Sequence, residues 1–277
     1  MLAVIPAAGS GTRFMPATKA IPKEMLPVLN KPTIQYVVEE ALAAADEVLI
    51  VINDGKQAIR NHFSPDERLV ESLMASGKDE YAVAVRHAAS LPVSYVNQDQ
   101  PLGLGHAVYM ANAFLQADGQ PFFVLLGDVL VPGNNLLQQM LGVSQTHDNA
   151  SVIAVQVVPD EEVHRYGIVI GDDLSDRGEP GVWRIQSMVE KPKTNPGSNL
   201  AIFGRYLLSP SIMAILADTP PGAGGEIQLT DAMVTLLQSE PMYALTVKAD
   251  AGFDVGTVDS WLQTNFLFAA AGKDVLA

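Results

Sequence analysis

Residues 2–28 read LAVIPAAGSGTRFMPATKAIPKEMLPV. The apolar run Leu2–Pro6 has the length and composition of a short buried strand. It gives way at once to AAGSG, where Gly9 and Gly11 let the chain turn sharply and bring backbone N–H groups close to a ligand. A glycine loop after a strand can cradle phosphate. It also occurs as a plain turn, and the loop alone does not separate the two. The P-loop pattern G-x-x-x-x-G-K-[ST] is absent. The dinucleotide pattern G-x-G-x-x-G matches at Gly9 and Gly11 but meets Phe14 at its third glycine, which weighs against a dinucleotide. Arg13, Lys19 and Lys23 follow, and Pro16, Pro22 and Pro27 keep the stretch from becoming helix. A rigid loop with three cations suits a polyphosphate, since Arg grips two phosphate oxygens and Lys supplies a point charge. Arg13 and Lys23 are the cations assigned to it. Lys19 reads equally well as a solvated surface charge.

Outward from this stretch, Val48–Ile52, Val93–Asn97 and Phe122–Leu126 repeat the short-strand signature. Pro32–Ala45 carries Ile34, Val37, Val38, Ala41, Leu42 and Ala45 on one helical face. Gly105–Gln116 and Asn134–Gln145 are further helices, and 64–92 is a helical excursion. Strands alternating with helices predict βαβ units and a largely parallel sheet. After residue 150 the texture changes. Ser151–Val158, Gly167–Ile170, Val182–Val189, Leu200–Tyr206 and Tyr243–Lys248 read as strands, and Ser209–Ala217, Ile227–Gln238 and Val258–Ala270 as helices. No linker separates the halves, so one domain with two lobes is expected.

The chain has 277 residues and a net charge of −14, with 48% hydrophobic residues and no cysteine. That excludes disulfides and cysteine metal sites, and fits a cytoplasmic protein. Residues 1–38 hold four Lys and Arg against Glu24 alone, a net of +3, leaving −17 for the remainder. A local cationic patch on an acidic chain points to a small anionic ligand, not to nucleic acid or a membrane surface. Neither a signal peptide nor a membrane-spanning helix is expected.

In QDQPLGLGHAV (98–108), Gly103 and Gly105 permit close backbone approach, and the Gln98 amide can pair with both N3–H and a carbonyl of a pyrimidine. His106 reads as a helix residue hydrogen-bonded to that loop. Asp128 ends the apolar run FFVLLGD, where a carboxylate is costly without a partner. Mg²⁺ carrying phosphates is the natural partner, with a helix cap as the alternative. MVEKP (188–192) is a weak signal alone. Glu226 and Asp231 in GAGGEIQLTDA could equally be helix-start charges. The five histidines lack zinc spacing, and no G-x-S-x-G elbow occurs.

GTRFMPATKAIPKEMLPV resembles the signature of bacterial UTP–glucose-1-phosphate uridylyltransferases, in the sugar nucleotidyltransferase superfamily. The later motifs resemble the family in the same chain order. The resemblance implies an α/β fold: a Rossmann-like, mixed, mostly parallel central sheet flanked by helices. It implies a nucleotide-binding lobe (about 1–150) and a sugar-binding lobe (about 151–277). The implied substrates are UTP and glucose 1-phosphate, with a thymidylyl- or other nucleotidyltransferase for a different sugar 1-phosphate, or a non-catalytic nucleotide-sugar-binding sensor, as the alternatives. The implied cofactor is Mg²⁺ on Asp128 and Asp254. Arg13, Lys23 and Lys191 would carry catalysis. Ala7, Ala8, Gly9, Gly11, Glu24, Gln98 and Gly103 would bind nucleotide. Gly167, Glu190, Asn199 and Glu226 would bind sugar. Relatives are oligomers, so a homodimer or tetramer is expected. The chain departs from the family pattern at Gly127, where proline is common, at Gly225, where an acid is common, and in TVDSW after the D-x-G of Asp254.

Overall fold

Alternate residues of a strand face opposite sides of a sheet, and the first strand shows the consequence. In the computed structural model, which describes residues 1–116, 119–131, 133, 135–248 and 252–271, β1 is Leu2–Pro6. Its Ala3 and Ile5 join one apolar core, while Leu2 and Val4 join a second on the other face. A strand buried on both sides must be apolar throughout, which is why the run reads without polar alternation.

Eight further strands complete the sheet: β2 Glu47–Ile52, β3 Val93–Asn97, β4 Phe122–Leu125, β5 Ser151–Val157, β6 Gly167–Asp173, β7 Val182–Glu190, β8 Leu200–Leu208 and β9 Met242–Thr246. Their order is β3-β2-β1-β4-β8-β5-β9-β7-β6. The pairings make seven strands run one way and only β7 and β8 the other. The sheet is therefore mixed but mostly parallel, as expected. The register of β8 with β5 shifts between Ile202 and Tyr206, and ahead of that shift β8 also pairs with β6 through Leu200–Val169 and Ala201–Ile168.

The helices are α1 Thr33–Leu42, α2 Gln57–His62, α3 Glu67–Ala75, α4 Asp79–Ser90, α5 Leu104–Tyr109, α6 Leu136–Thr146, α7 Ile212–Asp218, α8 Leu229–Leu236 and α9 Val258–Ala271. Val37, Val38 and Ala41 of α1, Leu137 and Met140 of α6 and Phe268 of α9 cover one face. Val108 of α5, Ile212 and Leu216 of α7 and Met233 and Leu236 of α8 cover the other. No described helix is long and apolar enough to cross a membrane.

The differences from the sequence reading are mostly at element ends. The 64–92 excursion breaks into α3 and α4 at Gly77, whose φ of 69° is the left-handed conformation that ends helices. The helix expected over 105–116 stops at Tyr109, and a 3-10 turn at Asn112–Phe114 replaces its second half. The start of the helix expected at Asn134 lies outside the described residues. The proline-punctuated loop is not α-helical, but it folds into three 3-10 turns, Thr12–Phe14, Ala17–Lys19 and Lys23–Met25.

Candidate active site

The glycine loop leaves the carboxyl end of β1, where ligands sit in open α/β sheets. Ala7 and Ala8 are buried and tied to the sheet: the Ala7 N–H donates to Val51 O (2.8 Å) and the Asn53 amide donates to Ala8 O (2.6 Å). Gly9 then faces open space. Gly11 has φ 64°, and a Cβ there would press on Thr18 and Lys23 at 3.3 Å. Glycine thus lets the loop fold back, with Thr18 Oγ1 donating to Gly11 O (2.7 Å) and Lys23 returning beside Gly11. Lys19 is exposed.

Lys23 Nζ donates to Asp128 Oδ2 at 2.8 Å. Asp128 precedes Val129–Leu130, which pairs antiparallel with Phe253–Asp254, and the Val255 N–H donates to Asp128 O (2.8 Å). This pairing brings together two aspartates 126 positions apart. A Cβ on Gly256 would lie 2.9 Å from Asp254 Oδ1, 3.3 Å from Asp128 Oδ2 and 3.5 Å from Arg13 Nη1. Both carboxylates and the Arg13 guanidinium therefore converge on one glycine. Burial pushes the Asp128 carboxyl up, but the Lys23 ammonium outweighs it and holds the group below its usual range. Asp254 is raised, first by desolvation and then by the Asp128 charge. Lys23 is raised despite its desolvation, by Asp128 and Glu24.

Arg205 of β8 holds this loop from behind, a role its sequence context as a core strand does not disclose. It is fully buried and paired bidentately with Glu40 of α1, at 2.8 and 2.7 Å. Its remaining N–H groups donate to Leu126 O, Gly204 O and Val129 O. The carbonyls flanking Asp128 are thus fixed by a side chain that never reaches the cavity. Gly127, the departure from the family pattern, lies between them. A Cβ there would meet nothing closer than 3.6 Å, so packing does not demand glycine.

A cavity of about 320 Å³ opens over these groups, lined by Ala8, Gly9, Lys23, Gln98, Gly103 and Asp128. Glu24 also borders it, almost wholly buried, with Oε2 paired to Lys56 Nζ (2.7 Å) and Oε1 left without a hydrogen-bond partner among the described residues. Gln98 Nε2 lies 3.1 Å from Gly103 O and 2.9 Å from His106 Nδ1. The amide therefore cannot also donate to a ligand carbonyl, which narrows the two-point pairing expected of it. Gly103 has φ 104°, and a Cβ there would stand 2.7 Å from Glu226 Cβ. Glu226 thus borders the same cavity as Gln98, not the Gly167–Glu190 group where the sequence reading put it. The reason is main-chain docking: the Ile227 N–H donates to Leu102 O, and the Gly105 N–H to Ile227 O.

The residue of that segment that does reach Glu190 is Thr230, which the sequence reading missed. Its Oγ1 donates to Glu190 Oε2 at 2.7 Å. Gly167, paired with Glu190 across β6 and β7, faces both: its Cβ would stand 3.1 Å from Glu190 Oε2 and 3.4 Å from Thr230 Oγ1. Lys191 takes φ 42°, a left-handed conformation rare and strained for lysine, with its N–H on Tyr166 O (3.0 Å). Its exposed ammonium lies 3.4 Å from Glu190 Oε1, not with the Lys23–Asp128 pair. Asn199 sits at the head of β8, with its carbonyl accepting from Val158 N–H (3.1 Å). Burial, with smaller contributions from the charges of Glu190 and Asp128, pushes the phenol of Tyr206 up.

Residues 2–270 match the family model described as nucleotidyl transferase. The chain belongs to the nucleotidyl transferase family. A UTP–glucose-1-phosphate uridylyltransferase of Bacillus subtilis (strain 168) is 43% identical over 276 residues, covering 99% of this chain and 92% of the relative. Among solved structures, a UDP-glucose pyrophosphorylase complexed with UDP-glucose superposes with a TM-score of 0.85 at 36% identity, covering 98% of this chain and 99% of that one. A UTP-bound UGPase from Acinetobacter baumannii gives 0.87 at 37% identity, covering 99% and 95%. As a nucleotidyl transferase, the chain also has the sheet and flanking helices of these relatives.

Proposed function

We infer that this nucleotidyl transferase moves the uridylyl group of UTP onto glucose 1-phosphate, forming UDP-glucose and releasing pyrophosphate. The observation that carries the reading is the convergence of Arg13, Asp128 and Asp254 on Gly256, with Lys23 paired to Asp128 and both of these lining the same cavity as Gln98.

The chemistry is attack by an oxygen of glucose 1-phosphate on the α-phosphorus of UTP. A new P–O bond forms, the α–β bridging bond breaks, and pyrophosphate leaves with that electron pair. The nucleophile is already ionised, so no general base is required. The obstacle is repulsion between two anions, and catalysis consists of positioning and charge neutralisation. Arg13 and Lys23 neutralise the departing pyrophosphate. Lys191, held by its backbone beside Glu190, binds the phosphate of the attacking sugar. Glu190, with Thr230 and the Gly167 backbone, takes sugar hydroxyls, and Asn199 borders them. Backbone N–H groups from Gly9 to Gly11 line the phosphates. Gln98 and the Ala8 and Gly103 main chain receive uracil. Glu24 Oε1, buried and unpaired, is available to a donor on the nucleotide.

The two aspartates fit a hard dication. Both are oxygen donors, and they converge on one glycine. Asp128 and Asp254 would hold Mg²⁺, which when bound neutralises phosphate charge. The test is phosphorus NMR of the protein with UTP, glucose 1-phosphate and Mg²⁺. UDP-glucose and pyrophosphate signals should grow together, and their absence would refute the reading.

A further inference from the structure

We propose that His106 is a positioning residue that holds the second hydrogen of the Gln98 amide, so that this side chain meets the base only as an acceptor for N3–H. The inference rests on the reading of Gln98 as the base-binding side chain.

Gln98 follows β3 with its backbone N–H on Ile52 O (2.7 Å) and its side chain 5% exposed. Its amide nitrogen faces Gly103 O at 3.1 Å and His106 Nδ1 at 2.9 Å. A backbone carbonyl only accepts, so the group facing Gly103 O must be the NH₂, and the amide cannot be turned over. His106 Nδ1 then accepts the second hydrogen, which puts the ring proton on Nε2. With both hydrogens committed, the amide offers a ligand only its carbonyl oxygen.

An acceptor at that point chooses among bases. Uracil presents N3–H and meets it; cytosine presents a bare N3 lone pair and is repelled. A donor there would choose the reverse. Gly103 O fixes which end of the amide is the NH₂ and takes one of its hydrogens, so what His106 decides is whether the second hydrogen is held or left to the base. The ring itself is anchored on α5, whose first turn is pinned by the Gly105 N–H on Ile227 O (2.8 Å). Without the Nδ1 acceptor, one amide N–H is left unpaired, and an acceptor on the base can relieve that cost.

The test compares kcat/KM for UTP and CTP, with glucose 1-phosphate, in the wild type, His106→Leu, His106→Asn and Gln98→Leu. Thermal melts are run alongside, and His106→Ala stands in if the leucine variant does not fold. Losing this one hydrogen bond should cut the UTP-over-CTP preference of His106→Leu about tenfold, through KM for UTP and not kcat. His106→Asn places an acceptor oxygen near the Nδ1 position and should keep the preference. N3-methyl-UTP should be a poor substrate of the wild type. An unchanged preference in His106→Leu, with loss in Gln98→Leu, overturns the role of His106. An unchanged preference in Gln98→Leu overturns the underlying reading of Gln98 as well.

Discussion

Lys23 Nζ donates to Asp128 Oδ2 across 2.8 Å, joining the proline-rich loop to the end of β4 over 105 positions of sequence. The pair stores a cation and an anion beside the cavity, each holding the other in its charged form. In the proposed reaction Lys23 turns from Asp128 toward phosphate. Removing one such preorganised donor costs about 10²–10³ in rate. Lys23→Ala should therefore lower kcat/KM for UTP by that factor in steady-state assays. A variant within a few-fold of wild type would remove Lys23 from the clamp.

Lys191 separates chemistry from stability. Its side chain is 59% exposed, so Lys191→Ala should leave the melting temperature almost unchanged. Its proposed hold on the attacking phosphate predicts a fall in kcat of about 10²–10³. Unimpaired turnover would contradict that role.

Arg205 should behave in the opposite way. Arg205→Met leaves Glu40 charged and unpaired in the core, which costs about 3–5 kcal/mol, measured by urea unfolding. Adding Glu40→Leu removes the stranded charge and should recover much of that stability. It should not recover activity, because the carbonyls of Leu126 and Val129 stay unbraced and Asp128 with them. Full activity in a stable double variant would show that the brace does not set the aspartate.

Asp254 gives the pH prediction. Its folded pKa lies above the ordinary value of 3.8, so folding favours its protonated form. The destabilisation is absent below that ordinary value, grows as pH rises through the folded pKa, and is complete above it. Asn keeps the oxygen that accepts from Gly256 N–H (2.6 Å) and loses the charge. Asp254→Asn should thus melt higher than wild type at pH 7 in EDTA, with the two curves converging in acid. A lower melting temperature at pH 7 would reverse the assigned sign.

Much of this arrangement was legible in the sequence, for physical reasons. Leu2–Pro6 was legible as a strand because a doubly buried strand is apolar throughout. The convergence of Asp128 and Asp254 followed only from resemblance, since no local pattern links residues on two short strands that pair late in the chain. Arg205 was hidden because FGRYLL reads as core, and its partner Glu40 is 165 positions away. Thr230 was hidden because Glu226 and Gln228 are extended and α8 starts only at Leu229, so the segment's docking, which no local pattern shows, decides which residue meets Glu190. The Gln98 amide appeared able to make two contacts with a pyrimidine until Gly103 O and His106 Nδ1 used its hydrogens.

The central claim is that the Arg13–Lys23–Asp128–Asp254 cluster serves a uridine triphosphate and a hexose phosphate. A pyrophosphate-release assay across ATP, CTP, GTP, UTP and dTTP, each with glucose 1-phosphate and other sugar 1-phosphates, tests it most directly. The account predicts Mg²⁺-dependent release that is strongest for UTP with glucose 1-phosphate. Release favouring dTTP or a purine triphosphate, or tight UTP binding with no release for any pair, would contradict it.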